Sequence, residues 1–529
     1  MEGETCMTAS TPRANPPTPP APTYTRKLVW LFLTASLVIT LLWFLAARGY
    51  WEDDAYIHLE FARSLAAGHG FTFNNHLVYG DTSPLWVWLL VAAHLVVPGS
   101  TAASWLAAGK LLTVLAAAFT LSGVYFYARS LVRRWWHPDA ASVFAATMLL
   151  VFVLNPYFGY WAFSGMEALA AAGLACWTCL LLAPRHLSWQ RILLAALLAG
   201  LAPLLRPEMA FFTVLVGCVL LQRIRIMHAS LVTRVDVLLA GLVLAAAPAV
   251  SWALYARHTF GSILPNTNAA KRAGPADSVL VRLIHVYGFG YPVTVLACLL
   301  LALWIVVYYT RRPEPAHRDA AHTSPFTALH AGGWLLFVWT ALNAIFYLAN
   351  HTFVQTRYIF VTAPVLTIAV LAFAAIRFHR VYRALLVLAV VYSAAMSLIA
   401  TRPLVHNKVL GDAIAARLAA YIHTLPPQAP VALYAIGETA FLAQHPIIDT
   451  GGITRPGVIP YIHDPDDHRL TAWIYAEGAR YEIVDHPPVP GAQLLWSNRI
   501  PVTGWYITPG RYAATDRLQL WQLPPAPTD

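Results

Sequence analysis

Residues Lys27 to Asp54 read KLVWLFLTASLVITLLWFLAARGYWEDD. The run from Lys27 to Ala47 is apolar and long enough to cross a bilayer as one helix, which needs about 20 residues. Asp53 and Asp54 follow shortly after it. Two adjacent carboxylates near hydrocarbon repel each other, so we expect one of them to have a raised pKa. Their position fits either a site of chemistry at the membrane surface or a solvated loop after a helix.

The composition indicates a polytopic α-helical membrane protein. Of the 529 residues, 58% are hydrophobic and 11% are charged, and the mean hydropathy is +0.56, whereas soluble domains have about 25% charged residues. The formal net charge of +10 does not indicate nucleic-acid binding, because the basic residues lie in short tracts between apolar runs and therefore fit topology signals. Four of the five cysteines lie inside apolar runs, so no disulfide framework is predicted.

Residues 1–25 are rich in Pro, Thr and Ala and lack apolar periodicity, which predicts a disordered cytoplasmic tail. The apolar run after the tail is too long for the core of a signal peptide and is followed by no small-residue cleavage pattern, so we expect it to remain as a span. Arg26 and Lys27 place the amino terminus in the cytoplasm.

Twelve apolar runs are candidate spans. They are roughly 28–47, 85–97, 105–131, 140–155, 167–183, 190–205, 208–222, 235–256, 288–310, 330–349, 358–376 and 384–400. If all twelve crossed, several basic tracts would lie outside, against the positive-inside rule. The run 85–97 is too short to cross, so we expect it to be a juxtamembrane helix on the outer side. Residues 26–401 are thus predicted to form a domain of about 11 transmembrane helices, with 50–84 as its first outer loop.

Residues 402–529 have evenly spread charges and no run long enough to span, which predicts a small soluble α/β domain outside the membrane. The pattern indicates helices over 407–424 and 438–443 and strands over 431–436 and 447–449. Aromatic residues of this domain either stack on sugars or fill its core, and the core is the expected place for most of them. They include Trp473, Tyr475, Trp496 and Trp505.

Several short motifs occur in order along the chain. They are Asp53-Asp54-Ala55-Tyr56-Ile57, Ala67-Gly68-His69-Gly70, Gly80-Asp81-Thr82-Ser83-Pro84-Leu85-Trp86, Ser164-Gly165-Met166-Glu167, Arg206-Pro207-Glu208, Leu264-Pro265-Asn266-Thr267 with Ala270-Lys271, Arg357-Tyr358 and Asp449-Thr450-Gly451-Gly452. As an ordered set over about residues 28 to 460, they resemble the bacterial GT-C glycosyltransferases. They are most similar to the terminal arabinofuranosyltransferases of cell-wall assembly and their bacterial relatives.

The resemblance implies a GT-C-like fold that transfers a sugar from a polyprenyl-phosphate donor to a cell-envelope glycan, lipid or protein, with inversion at the anomeric carbon. This reaction needs a carboxylate as general base and groups that stabilise the leaving phosphate. Asp53 matches the family's first-loop acid most directly and is expected to be the base, with Asp54 positioning the sugar or acceptor. The two roles are exchangeable. No cofactor is implied, and a monophosphate donor favours independence of a divalent metal.

The same resemblance implies a set of substrate-binding residues at the outer helix ends. They are Glu167, Arg206, Glu208, Asn266, Lys271 and Arg357. Arg206 is the main candidate for the phosphate, because a guanidinium offers a forked set of donors. An interfacial arginine paired with Glu208 is an equally good interpretation, and the two are compatible.

The other candidates also have simpler interpretations. Lys271 and its neighbour Arg272 are either phosphate ligands or solvated cations. Glu167 is either a site residue or a helix cap, and Arg357 is either a site residue or an interfacial anchor. Loop histidines such as His58 are expected to be exposed and not catalytic. The segment 463–468 fits a surface turn better than a metal site.

Two other function classes are alternatives to a glycosyltransferase. A secondary transporter would have ionisable residues near the bilayer midplane and related halves, and neither feature is evident. A scaffold for polysaccharide export would need the membrane fold but not the acidic pair. Among enzymes, an oligosaccharide polymerase or ligase is the nearest competitor. The sugar, the acceptor and the oligomeric state do not follow from the sequence.

Overall fold

The computed structural model describes residues 23–184, 186–272, 279–310, 331–462, 467–501 and 517–526. The predictions for residues 1–22 of the tail, for the turn at 463–466 and for Trp505 lie outside these residues. The side chain of Lys271 also lies outside the described part of the chain.

The first helix begins at Thr23, so residues 23–25 are helical and do not belong to the predicted tail. α1 spans Thr23–Ala46 and α2 spans Asp53–Ala66, and a hairpin of β1 (Thr72–Phe73) and β2 (His76–Leu77) follows. The next helices are α3 (Pro84–Val96), α4 (Ala102–Val132), α5 (Pro138–Leu154), α6 (Pro156–Trp161), α7 (Ala168–Leu182), α8 (Trp189–Leu205), α9 (Ala210–Arg225) and α10 (Leu231–Phe260). A 3₁₀ turn, Pro207–Met209, lies between α8 and α9.

The second half of the membrane domain is also helical. Its helices are α11 (Asn266–Arg272), α12 (Val279–Gly290), α13 (Pro292–Thr310), α14 (Ala331–Ala349), α15 (Thr356–Arg377), α16 (His379–Met396) and α17 (Arg402–Ile422). A π-helical turn, Ser397–Thr401, joins α16 and α17 into one continuous helix. The predicted domain boundary at residues 401 and 402 therefore lies inside a helix.

Local capping signals explain where several helices begin. The hydroxyl of Thr101 accepts the N–H of Ser104 at 3.3 Å, and Ser230 caps α10 in the same way. These side chains satisfy N–H groups that have no partner inside the helix. Proline occupies the first turn of α3, α5 and α6, where its missing N–H costs nothing.

Six helices within the described residues are long and apolar enough to cross a membrane, or seven if the bent pair α12 and α13, which meet at 105°, forms one broken span. Four further apolar helices, α5, α7, α8 and α14, are shorter by this test and occupy predicted spans. α3, with 13 residues, belongs to the same class of shorter apolar helices, so its juxtamembrane position stays a prediction. The chain is a multi-pass helical membrane protein, and the count of eleven spans stays a prediction.

α15 is the central helix of the membrane domain. It is buried along almost its whole length and packs against α7, α13, α14 and α16. The side chains of Thr356 and Arg357 in its first turn are therefore held inside the protein and not at its lipid-facing surface.

The C-terminal domain has the predicted α/β character. A five-stranded sheet has the order β4-β3-β5-β7-β6, with β3 parallel to β4 and β5 and the other pairs antiparallel. Its elements are β3 (Val431–Leu433), α18 (Ile436–Ala443), β4 (Ile447–Asp449), a 3₁₀ turn (Pro456–Tyr461), α19 (Asp467–Ala476), β5 (Tyr481–Ile483), β6 (Gln493–Arg499) and β7 (Arg517–Gln522). Trp473, Tyr475 and Trp496 pack against buried clusters, so they serve the core.

Candidate active site

Several helix ends meet around a cavity of about 350 Å³. Its lining comes from the starts of α2, α7, α9 and α15, the ends of α8 and α14, α11, and residues 80–82 of the first loop, with Ile453 added by the C-terminal domain. Eight acidic or basic side chains line it, namely Asp54, His58, Asp81, Glu167, Arg206, Glu208, Arg272 and Arg357. Buried charges are tolerated only when they are paired, so the pairing in this cavity decides what it can bind.

Asp54 and Arg357 form the first ion pair of the cavity. A guanidinium nitrogen of Arg357 donates to Asp54 Oδ2, which joins the first turn of α2 to the first turn of α15. The Arg357 side chain is 4% exposed, whereas that of Asp54 is 30% exposed. Asp54 therefore offers part of its carboxylate to a ligand while a buried cation favours its ionised form.

Arg206 holds two carboxylates. Its Nη1 donates to Glu167, and its Nε donates to Glu208 Oε1 at 2.6 Å. Pro207 prevents α8 from continuing, and Arg206 itself is extended, with φ of −152° and ψ of 125°. This break turns the guanidinium into the protein, where it also lies 4.9 Å from the ring centre of Tyr358.

Glu167 lines the cavity and does not cap α7. It stands at the start of α7 but makes no side-chain hydrogen bond to the helix backbone. Burial alone would raise the pKa of its carboxyl, yet the charge of Arg206 and the contact with His58 hold that pKa well below its usual range. Glu167 is therefore a carboxylate at neutral pH.

A glycine holds the backbone in front of Glu167. Gly165 has φ of +88°, a conformation that favours glycine, and a Cβ there would lie 2.5 Å from the Trp51 ring. Its carbonyl accepts the indole N–H of Trp86 at 3.0 Å. These contacts explain why the motif Ser164-Gly165-Met166-Glu167 has glycine at its second position.

His58 lies between two carboxylates. Its Nδ1 is 2.6 Å from Asp81 Oδ2 and its Nε2 is 3.3 Å from Glu167 Oε2. Although burial would lower the pKa of the imidazole, the Asp81 and Glu167 carboxylates raise it to about 10. His58 is thus a buried cation at neutral pH, which corrects the expectation of an exposed loop histidine.

The cation Arg272 differs from those deeper in the cavity. Arg272 is exposed, and its Nε donates to the Asn350 side-chain oxygen at 2.7 Å. Asn350 in turn donates to the Asn268 side chain at 3.2 Å and to the Thr352 hydroxyl at 2.7 Å. Among the described residues, no carboxylate pairs with Arg272, whereas Arg206 and Arg357 are both paired.

Two predicted site residues lie beside the cavity and not on it. Asp53 accepts backbone N–H groups of Gly437 at 3.1 Å and Glu438 at 2.9 Å, both in α18. Burial raises the pKa of the Asp53 carboxyl to about 6, although these hydrogen bonds oppose the shift. Asn266 contacts other parts of the protein and does not line the cavity. Its backbone N–H donates to the Tyr79 carbonyl at 2.9 Å, and its side chain lies 3.5 Å from the Ile453 carbonyl.

The structure thus brings together five predicted residues, Asp54, Glu167, Arg206, Glu208 and Arg357. The sequence did not identify His58 and Asp81 as site residues. A signal for His58 was available, because it follows Asp54 by one helical turn on the same face of α2. Within the described residues, no group of three His, Cys, Asp or Glu side chains is arranged to hold a metal ion.

The fold has known counterparts. The chain is similar to ArnT from Cupriavidus metallidurans, solved bound to undecaprenyl phosphate, with a TM-score of 0.53 and 16% identity over 95% of this chain and 99% of that one. The apo form gives a TM-score of 0.54 at 16% identity, over 96% of this chain and 100% of that one. The chain therefore has the fold of ArnT over nearly its whole length, in agreement with the GT-C-like fold that the motifs implied.

A second solved structure is less similar to the chain. The Archaeoglobus fulgidus oligosaccharyltransferase, in a complex with zinc and sulfate, gives a TM-score of 0.46 and 12% identity over 87% of this chain and 68% of that one. No family model matches the chain, and no curated protein matches it.

Proposed function

We propose that the protein is an inverting glycosyltransferase that moves a sugar from a polyprenyl-phosphate donor to a cell-envelope glycan, lipid or protein. The observation that carries the proposal is the partly exposed carboxylate of Asp54 beside a buried network of paired charges in one cavity. A general base must be both ionised and reachable by the acceptor. Asp54 meets both requirements, so it is assigned the role of base that the resemblance gave to Asp53.

The reaction is a displacement at the anomeric carbon. Asp54 takes the proton of the acceptor hydroxyl, whose oxygen forms a bond to that carbon. The bond from the carbon to the phosphate oxygen breaks, and the polyprenyl phosphate leaves with the electron pair. Attack from the side opposite the phosphate inverts the configuration. Arg357 stays paired with Asp54 and orients the carboxylate.

The phosphate is assigned to Arg272 and not to Arg206. Arg206 already has two carboxylate partners, so an added phosphate would compete with both. Arg272 uses one nitrogen on Asn350 and keeps its forked terminal nitrogens for phosphate oxygens. Glu167 and Glu208, fixed by Arg206, are then placed to accept hydrogen bonds from sugar hydroxyls. Lys271, next to Arg272, is a second phosphate candidate.

The site is proposed to face the outside of the cytoplasmic membrane, with the amino terminus in the cytoplasm and the C-terminal domain outside. The positive-inside rule supports this orientation. A pentofuranose donor is supported by the resemblance to arabinofuranosyltransferases. No divalent metal is assigned a role, because each cavity carboxylate has a cationic side chain as its partner.

The test is transfer from a panel of synthetic polyprenyl-phosphate sugars by the purified protein in detergent. Asp54→Asn removes the base, and Asp139→Asn in the first turn of α5 is a matched control outside the cavity. We expect one donor to be used, with the rate reduced about 100-fold or more by Asp54→Asn and unchanged by Asp139→Asn. Full activity of Asp54→Asn, or no reaction with any donor, would contradict the proposal.

A further inference from the structure

Asp53 makes contacts that a catalytic base would not need. Its two carboxylate oxygens accept the N–H groups of Gly437 and Glu438, which are the second and third residues of α18. These N–H groups have no partner within the helix, and a side-chain oxygen normally supplies one from the residue before it. Here Ala435 precedes the helix and has no such oxygen. Asp53 therefore caps α18 from a distant part of the chain.

Gly437 makes this contact possible. A Cβ at Gly437 would lie 1.9 Å from the backbone oxygen of Asp53, which no side chain tolerates. The backbones of α2 and α18 therefore touch at this point. Only glycine allows the N–H groups to reach the carboxylate.

More contacts continue the same interface along α2. The rings of Tyr56 and Phe441 lie 5.8 Å apart, and both side chains are buried. Arg63 donates to the Phe441 carbonyl at 3.3 Å, and its guanidinium lies 5.0 Å from the centre of that ring. α18 is thus attached to α2 from the first turn of α2 to the last.

The chain beyond α18 reaches the cavity. Asp449 at the end of β4 accepts the N–H groups of Gly451 at 2.7 Å, Gly452 at 3.1 Å and Thr454 at 2.6 Å. This compact turn presents Ile453, which lines the cavity. A Cβ on Gly80 of the first loop would lie 3.1 Å from the Ile453 carbonyl, so the turn and the first loop are in close contact.

We propose that the C-terminal domain is part of the catalytic unit and that Asp53 is a positioning residue. Asp53 docks α18 on α2, and this docking holds the 449–454 turn against the cavity and fixes the position of Asp54. Asp54 follows Asp53 directly, so the docking of α18 sets the angle at which the Asp54 carboxylate enters the cavity. The inference rests on the proposed function for its activity readout, and on the contacts alone for its structural readout.

The variants separate a docking role from a chemical one. Asparagine keeps one side-chain oxygen, so Asp53→Asn retains one of the two hydrogen bonds to α18 but cannot act as a base, whereas alanine retains neither. A docking role therefore predicts that Asp53→Asn is clearly more active than Asp53→Ala. Gly437→Ala disturbs the same contact from the other side. Gly411→Ala in α17 is its control, because a Cβ there meets nothing within 4 Å.

The experiment measures kcat and KM for transfer, together with backbone hydrogen exchange of residues 436–443, in the purified full-length protein. For Asp53→Ala and Gly437→Ala we expect amide exchange in α18 to rise about tenfold, as for a lost cap, and kcat to fall by a similar factor. Asp53→Asn should stay within about threefold of the wild type in both readouts. Gly411→Ala should match the wild type.

Three outcomes would overturn the inference. One is an Asp53→Asn variant that is as inactive as Asp53→Ala while α18 exchanges normally, since Asp53 would then act chemically. Another is normal activity of Gly437→Ala with rapid exchange in α18, since the docking would then be irrelevant to catalysis. The third is unchanged exchange in both Asp53→Ala and Gly437→Ala. If the wild type transfers no sugar, the proposed function fails, and the exchange data alone decide whether Asp53 docks α18.

Discussion

His58 provides a quantitative test of the charge network in the cavity. The buried imidazolium between Asp81 and Glu167 has a pKa of about 10, compared with about 6.5 for an ordinary histidine. A pKa that is raised in the folded state stabilises the fold fully below the unfolded value and loses that effect as pH rises through the folded value. Each pH unit between the two values costs about 1.4 kcal/mol.

Raising the pH from 7 to 9.5 should therefore remove about 3 kcal/mol of stability from the wild type through His58 alone. His58→Gln cannot take up the proton, so it should be less stable than the wild type at pH 7 and should lose less on going to pH 9.5. His69→Gln is a matched control, because His69 is an exposed histidine that lies just after the end of α2. It should follow the wild type at every pH.

The assay is the apparent unfolding temperature of the detergent-solubilised protein, followed by tryptophan fluorescence at several pH values between 6.5 and 10. The quantity that matters is the difference between His58→Gln and the wild type, because other groups titrate equally in both. We expect this difference to shrink steadily as pH rises. A constant difference across the range would show that His58 is not held as a cation, and the assignment of the Asp81 and Glu167 ion pairs would be wrong.

Three other predictions concern separate parts of the site. Arg206→Gln leaves Glu167 and Glu208 without their shared partner and should destabilise the protein by about 3–5 kcal/mol, measured as a lower unfolding temperature; an equal unfolding temperature would contradict the pairing. Arg272→Gln should raise KM for the donor about tenfold, the effect of losing one charge-assisted contact, with little change in kcat. Arg257, an exposed residue outside the cavity lining, provides the control, and Arg257→Gln should leave both constants unchanged. A fall in kcat alone for Arg272→Gln would place the phosphate elsewhere. Gly165→Ala should unfold at a much lower temperature than Gly68→Ala, since both glycines have positive φ but only Gly165 would place a Cβ against the Trp51 ring; similar losses would show that backbone strain outweighs packing.

The apolar runs predicted most helices because span length and hydrophobicity are local properties of the sequence. The same rule predicted that α3 is too short to cross, a prediction that its length of 13 residues does not by itself decide. The boundary at residue 401 was drawn from composition, and the continuous helix through it was not foreseen. A proline inside a helix usually ends or kinks it. Here the π turn at Ser397–Thr401 precedes Pro403, and the helix continues through it.

The sequence located the acidic pair but could not say which acid faces the cavity. Successive residues of an α-helix point about 100° apart, so Asp53 and Asp54 in the first turn of α2 necessarily face different neighbours. What each one meets depends on α15 and α18, which lie about 300 and 380 residues further along the chain. Such long-range pairing has no local signature, whereas the spacing from Asp54 to His58 is local and was readable.

An experimental structure of the protein with a polyprenyl phosphate bound would test the assigned donor site. We expect the phosphate to lie in the cavity within hydrogen-bond distance of the Arg272 guanidinium, with Asp54 and Arg357 still paired and the space between them and the phosphate open for a sugar. A phosphate bound outside this cavity, or a cavity that stays empty at saturating lipid, would contradict the assignment of this site to a lipid-linked donor.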